Sequence, residues 1–391
     1  METLVTIERA LEIVRQTAVT LATEWVPLLQ AYNRILSEDL TSKVDDPPFD
    51  NSAMDGWAVR SIDEQRLEVG TTAAGTAPLK VKAGEAIRIM TGAPMPEGAD
   101  AIVLIEDGLQ GKAHTNFIRR QGENLSQGTV ALQAGQIMTP AAISLAATMG
   151  HATIPVRVKP RVAVISTGDE LVAPGDELEA GSIYESNSYG LCALLEKIGC
   201  APFLQEVVVD SLDALRSTLN SLDCDVILTS GGVSMGEFDY VRKLMELEGD
   251  IHFWKVAMRP GKPVMFGELN GVPVLGLPGN PVSVIVCALI FLLPVIRRLL
   301  GLPIDLANIM EKAFLNNCLP ENDERQDYLR GTLNCKEDGS LWASPFQKQD
   351  SSMLSVLARA DCLIVRAPHA AQVSTGELVD IIRFPSSLIH L

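Results

Sequence analysis

Apolar and polar positions alternate in two different rhythms along this chain, and the rhythms divide it. Over residues 6–18, Ile7, Ala10, Leu11 and Val14 share one helical face, so a helix is expected there. A second apolar stretch covers residues 25–40. It stops before Asp45-Asp46-Pro47-Pro48, where paired prolines cannot continue a helix. From residue 49 to about 138, short apolar runs (87–90, 101–105, 129–132) are separated by Gly-bearing turns, the pattern of a β-rich module. Residues 141–149 read as helix again and 152–158 as a short strand.

From Arg161 the rhythm becomes strand–helix alternation. Strands are expected at 162–165, 203–209, 226–229, 253–256, 264–267 and 274–277, with helices at 187–198, 212–222, 240–247 and 282–300. Such alternation predicts a mainly parallel sheet covered on both faces. After Gly301-Leu302-Pro303 it stops, and residues 304–391 carry β patterning, as at 362–365 and 378–384, that suits a small all-β module. No internal repeat is visible.

Composition narrows the classes. A chain of 391 residues has room for roughly two to four domains. At 47% hydrophobic and 21% charged it can bury sizeable cores, which excludes global disorder. Its 32 Lys+Arg against 49 Asp+Glu leave a net charge of −17, which repels nucleic acid and anionic lipid, so neither is expected as a partner. Residues 269–296 are uncharged, but only 282–296 reads as a continuous helix, with Pro294 interrupting it. That is short of the ~20 residues a bilayer requires, and a buried helix is expected instead. Seven Cys with no CxxC pair suit a reducing cytoplasm. The start, METLVTIERALEIV, has acids where a signal peptide needs a basic segment.

Three strands of the α/β region run into Gly-bearing loops: STGDEL at 166–171, SGGVSMGEFDY at 230–240 and PGNPVS at 278–283. In a parallel sheet these loops emerge at the carboxyl edge, where ligands bind. One such loop alone reads as a tight turn. Three on one edge point to a phosphate-bearing ligand held by backbone N–H groups and helix N-termini. Asn280 is the expected cap and Pro281 the first residue of the last helix.

Lys255, Arg259 and Lys262 fall in residues 251–267, a window without any acid. It reads as a solvated face or as an anion site fixed by Pro260-Gly261 and Pro263. Arg119-Arg120 is either an exposed turn pair or a second anion contact. Asp169, Glu170 and Asp239 lie inside the Gly loops and suit a hard cation such as Mg²⁺ beside phosphate oxygens; the alternative for each is a cap or turn acid. Ser166 and Ser234 have no neighbouring His, so nucleophilic serine chemistry is not indicated.

PFDNSAMDG at 48–56 and RIMTGAP at 88–94, with the three loops, Lys255 and PGKP at 260–263, strongly resemble the molybdopterin molybdenumtransferase family. These are molybdenum-insertion enzymes related to the E domain of gephyrin, and the resemblance is collinear from about residue 6 to the C-terminus. It implies a multidomain α/β plus β architecture: an elongated two-segment linker domain (1–45 and 139–160) and a β-rich inserted domain (46–138). A molybdopterin-binding three-layer α/β domain with a mainly parallel sheet (161–302) and a C-terminal β-barrel (303–391) would follow.

The resemblance also implies a Mg²⁺-dependent reaction in which molybdate meets adenylylated molybdopterin, AMP leaves and the dithiolene holds the molybdenum. It implies a homodimer whose β-rich module closes the partner's site. Carried over, catalytic roles fall on Asp55, Thr91, Arg119, Glu170, Asp210, Asp239, Lys255, Arg259 and Lys262. Substrate binding falls on Ser166, Thr167, Gly168, Asp169, Ser230, Gly231, Gly232, Ser234, Pro278, Gly279, Asn280, Pro281, Arg330 and Ser351. Asp169, Glu170 and Asp239 are the metal candidates.

Three positions depart from the family pattern. Arg259 stands where Lys is usual, Gly122-Glu123-Asn124 replaces Gly-Glu-Asp, and Gln349-Asp350-Ser351 replaces Gln-Gly-Ser. A relative using the fold for nicotinamide-nucleotide amidase work would lack DNSAMDG and the barrel. A gephyrin-like scaffold finds support only in Asn124.

Overall fold

The alternation expected after residue 161 is present in the computed structural model, which describes residues 1–17, 19–205, 211–233, 239–303 and 309–384. Two compact units form: Thr23–Val156, and Met1–Ala22 together with Arg157–Leu391. In the second, the α/β part comprises β1 (Glu2–Val5), α1 (Ile7–Thr17), β2 (Arg161–Ser166), α2 (Asn187–Lys197), β3 (Ala201–Leu204), α3 (Leu212–Ser221), β4 (Val226–Ser230), α4 (Tyr240–Glu248), β5 (Asp250–Val256), β6 (Met265–Leu269), β7 (Val272–Leu277) and α5 (Pro281–Leu299).

One sheet takes these strands in the order β1-β5-β6-β7-β4-β2-β3. All neighbours are parallel except the two pairs made by β6. Asn270-Gly271 explains β6: both residues have positive φ (52° and 78°), the geometry of a tight hairpin turn that joins β6 to β7 directly. Because β6 opposes both β5 and β7, those two run the same way. The β5–β6 connection therefore leaves the sheet at the same carboxyl edge as the ends of β2, β4 and β7.

Apolar side chains fix the layers. Leu215 and Leu219 of α3 and Val241, Leu244 and Met245 of α4 pack with Ile227, Ile251, Met265 and Val274 on one sheet face. α1, α2 and α5 cover the strands from other positions. β1 was not foreseen, since only Val5 of its four residues is buried and no alternation marks it. Residues 2–17 thus join the α/β sheet, whereas Val26, Ala31, Leu36 and Leu40 share a core with Met138, Ala142, Ala146 and Ile154 in the other unit.

The buried helix expected at 282–300 is present; only the reading that Pro294 limits it to residues 282–296 is corrected. α5 runs 19 residues, is apolar enough by length and composition to cross a membrane, and has 83% of its apolar window buried in the fold. A π-turn at Ala288–Leu292 precedes Pro294, so the residue lacking an N–H falls where the regular ladder has already been re-phased.

Five strands, Met310–Leu315, Gln326–Cys335, Leu341–Pro345, Cys362–Arg366 and Leu378–Arg383, close into a barrel. Ala313, Leu315, Ala343, Cys362, Ile364 and Ile381 fill it. Met258–Arg259, inside the β5–β6 connection, pairs in parallel with Gln326-Asp327 of the barrel.

The unit Thr23–Val156 holds a five-stranded sheet around Gly56–Val59 and Ala101–Leu104. It also carries the helix Pro140–Thr148, which Thr139 caps by accepting from Ala142 N at 3.2 Å.

Candidate active site

β2, β4 and β7 end level with one another: Ser166 is in register with Ser230, and Ser230 with Leu277. Backbone bonds then lace the loops together, Thr167 N donating to Ser230 O (3.2 Å) and Gly231 N to Leu277 O (3.1 Å). Gly231 has φ +92°, and a Cβ there would stand 2.9 Å from Thr167 O, so the loops approach this closely only because that residue is glycine. Between them lies a cavity of about 620 Å³. Thr167, Gly168 and Glu170 line it from the first loop. Ser230, Gly231, Gly232 and Asp239 belong to the second loop, and Pro278, Gly279, Asn280 and Pro281 to the third.

Other expected residues lie nearby without lining the cavity. Ser166 is buried, and its Oγ donates to Glu185 Oε1 at 3.0 Å. Asp169 is not on the cavity wall. Asp210 and Ser234 fall outside the described residues.

The cationic window runs from β5, which carries Lys255, through the β5–β6 connection, which carries Arg259 and Lys262 and contributes Pro263 to the wall. Lys255 Nζ sits 3.9 Å from the Trp254 ring centroid, a cation–π contact, and its backbone adopts φ +68°. Lys262 is exposed. The turn before it is rigid, because a Cβ on Gly261 (φ +106°) would meet Cys287 Sγ at 2.2 Å. Arg259 departs from the expectation of an anion contact. Its guanidinium donates to Asp323 Oδ2 at 3.0 Å and to Asp327 Oδ2, which raises its pKa, with the Asp327 bond as the main cause. Its charge is already matched by barrel carboxylates.

The barrel reaches the third loop through residues 349–352. Asn280 occupies the cap position of α5 but makes no capping bond with its side chain. Its Nδ2 donates instead to Ser351 Oγ (3.1 Å), and Val282 N donates to Ser351 O (3.1 Å). Ser351 therefore caps the helix in place of Asn280. Asp350, which stands where the family pattern has Gly, is turned into its own loop, where Oδ1 accepts from Ser352 Oγ (2.6 Å) and N (2.8 Å). Those bonds hold its pKa below the ordinary range, the Ser352 hydroxyl first. Arg330 is 1% exposed, donates to Asp350 O at 3.0 Å, and has its pKa lowered by burial.

Asp55, Thr91 and Arg119 belong to the unit Thr23–Val156. Thr91 donates to Asp55 Oδ1 from both N (2.7 Å) and Oγ1 (3.0 Å), and its backbone bond is the chief reason the Asp55 pKa is low. Arg119 is exposed on a short strand opposite Asn51, while Arg120 pairs with Asp50 at 2.6 Å. Asn124 Nδ2 donates to Asp46 Oδ2 at 2.6 Å, a bond an ionised aspartate there could not make.

Among the described residues no three His, Cys, Asp or Glu side chains gather to hold a metal, so Asp169, Glu170 and Asp239 do not form a cage. Glu170 and Asp239 on the cavity wall still fit a Mg²⁺ that takes its remaining ligands from phosphate and water. Asparagine 187 and Glu185, which sequence reasoning missed, also line the cavity: Asn187 Nδ2 donates to Ser230 Oγ (2.9 Å) and Gly279 O (2.8 Å).

Comparison with known proteins agrees with this architecture. Three family descriptions match: MoeA N-terminal region (domain I and II) over residues 5–150, probable molybdopterin binding domain over 163–298, and MoeA C-terminal region (domain IV) over 312–384. The molybdopterin molybdenumtransferase of Haemophilus influenzae is 36% identical over 377 residues, covering 92% of this chain and 93% of that one. The chain belongs to the molybdopterin molybdenumtransferase family.

Molybdopterin molybdenumtransferase 2 of Mycobacterium tuberculosis is 42% identical over 383 residues, covering 91% of this chain and 94% of its own. The solved molybdopterin biosynthesis MoeA protein of Pyrococcus horikoshii superposes with TM-score 0.80 at 29% identity, covering 97% of this chain and 100% of that one. The family makes the chain a transferase, and the α/β domain, β-rich region and C-terminal barrel are the family's architecture.

Proposed function

We propose that this chain, a transferase of molybdenum cofactor biosynthesis, moves molybdenum from molybdate into adenylylated molybdopterin, releasing AMP with the help of Mg²⁺. The observation that carries the reading is the cavity of about 620 Å³ where three Gly loops meet at the carboxyl edge, with Glu170 and Asp239 on its wall. Such an edge suits an extended phosphate-bearing ligand.

The chain's own groups divide the work. Loop N–H groups hold phosphate oxygens, and Thr167 and Ser230 add hydroxyls. Lys255, near the end of β5, and Lys262, on the connection beside Pro263, offset the charge of molybdate and phosphate. Glu170 and Asp239 would hold Mg²⁺, which when bound neutralises phosphate charge. The two dithiolene sulfurs replace oxygen ligands of molybdate, the displaced oxygen leaves as water, and attack of water on the pyrophosphate link releases AMP.

A homodimer completes the reading: Asp55, Thr91 and Arg119 of one protomer serve the partner's site. Support comes from Trp25, Leu29 and Tyr32, large apolar side chains exposed close together in sequence. The seven free thiols suit a cytoplasmic setting. The test is release of AMP by purified protein given adenylylated molybdopterin, molybdate and Mg²⁺. Release that needs both molybdate and Mg²⁺, and falls sharply in Asp239→Asn, supports the assignment. Equal release without molybdate overturns it.

A further inference from the structure

Each Gly loop begins at the end of a different strand, and backbone bonds join only neighbours at the sheet edge. Away from that edge the loops must be held by something else if a phosphate chain is to find all three correctly spaced. The N-terminus of α2 supplies it. Asn187, the first residue of that helix, donates from one nitrogen to Ser230 Oγ (2.9 Å) in the second loop and to Gly279 O (2.8 Å) in the third. A carbonyl can only accept, so the bond to Gly279 fixes the orientation of the amide.

Two residues earlier, Glu185 is 4% exposed and accepts from Ser166 Oγ (3.0 Å), Ser188 N (2.9 Å) and Ser188 Oγ. It ties the end of β2, where the first loop starts, to the same helix. A buried carboxylate with several donors is held in one place. Ser186, the residue in the usual capping position, makes no capping bond, so Glu185 takes over that duty as well.

We propose that Asn187 and Glu185 are positioning residues that clasp the three loops into one phosphate cradle. Asn187 sets the spacing of the second and third loops, and Glu185 anchors the helix to the first. The inference rests on the cavity being the adenylylated-substrate site. Both residues act through the loops, so they govern how tightly phosphate is held more than the rate of the chemical step.

The experiment is titration calorimetry of 5′-AMP with Mg²⁺ into the full-length protein, alongside steady-state kinetics. Asn187→Ala, which loses two hydrogen bonds, is expected to bind AMP about tenfold more weakly. It should raise KM by a similar factor and leave kcat within about twofold, which mere loss of folded enzyme would not do. Asn187→Asp keeps the size but cannot donate to Gly279 O and adds negative charge to the cavity wall, and should bind AMP at least as weakly as the alanine variant.

A cycle of Asn187→Ala with Ser230→Ala should be non-additive, since both changes cut the same bond. If wild-type protein binds AMP and every Asn187 variant binds it equally well, the clasp is refuted while the site survives. If wild-type protein binds no AMP, the reading of the cavity fails and the clasp falls with it. Should Asn187→Ala fail to fold, Ser230→Ala alone still reports: wild-type affinity there removes the link between the second and third loops.

Discussion

Thr167 O lies 2.9 Å from where a Cβ on Gly231 would stand, and φ at that residue is +92°. Gly231→Ala therefore combines left-handed strain with a clash against backbone that is bonded to neighbouring strands. It should cost about 1–3 kcal/mol of stability and weaken ligand binding, read from thermal melts and AMP titration. Thiols make a second residue-scale prediction. Burial pushes Cys362 up to about 12 and raises Cys287 further, whereas Cys318 and Cys335 are exposed. Iodoacetamide at neutral pH should label Cys318 and Cys335 in the native protein and reach Cys287 and Cys362 only after unfolding, as mapped by peptide mass.

At this scale the sequence was readable wherever chemistry needs an unusual residue type. Glycines between strand and helix, and prolines around Lys262, stand out in any reading. Asn187 and Glu185 do not, because a polar pair ahead of a helix looks like an ordinary start. Only the fold shows that their partners are Ser230, Gly279 and Ser166. Arg259 was visible as a charge, but the carboxylates that match it lie 64 and 68 positions away.

Elements carry the next predictions. The short pairing of Met258–Arg259 with Gln326-Asp327 is reinforced by Arg259, whose partner Asp327 is 5% exposed. Arg259→Ala leaves that buried carboxylate without its cation and should destabilise by about 2 kcal/mol in denaturant titration. Arg259→Lys should recover part of this, since a single ammonium cannot reproduce the forked contact to two acids.

Asp323, in the same cluster, is held at about 2 against an ordinary 3.8, first by the side chain and then by the backbone of Arg325. A lowered pKa in the folded state contributes stability above pH 3.8 that disappears as pH falls toward about 2. Asp323→Asn should accordingly melt lower than wild type at neutral pH. The gap should close as melts are repeated down to about pH 2.

Element types were largely legible, because strand–helix alternation survives in the hydrophobic pattern. Connections were not. The Asn270-Gly271 turn makes β6 antiparallel, and a reading based on alternation passes over a two-residue hairpin. The π-turn in α5 was equally invisible, since burial on all sides leaves no polar face to reveal a change of phase.

For the molecule as a whole, oligomeric state is the open test. Leu29 is 97% exposed in the single chain, so Leu29→Asp should leave the fold intact. Wild-type protein is expected to sediment as a dimer and Leu29→Asp to shift toward monomer. A variant that stays dimeric would move the interface elsewhere. The family architecture was accessible from motifs spread over the chain, but the membership of the first strand was not, because nothing in residues 2–5 advertises a partner.

That strand has a consequence for how the chain comes to be folded. Glu2 pairs with Phe253, so β1 leaves the ribosome about 250 residues before the strand it must lie against. The whole unit Thr23–Val156 is synthesised in between and has everything needed for its own core. During that interval the nascent chain carries a tethered strand with nothing to join. The sheet's edge is then closed by a strand made long before the one it pairs with. Completion of the α/β sheet is thus timed by the arrival of β7, which joins β5 and β6 to the older strands, and any pause in translation before residue 277 prolongs the exposure of that waiting strand.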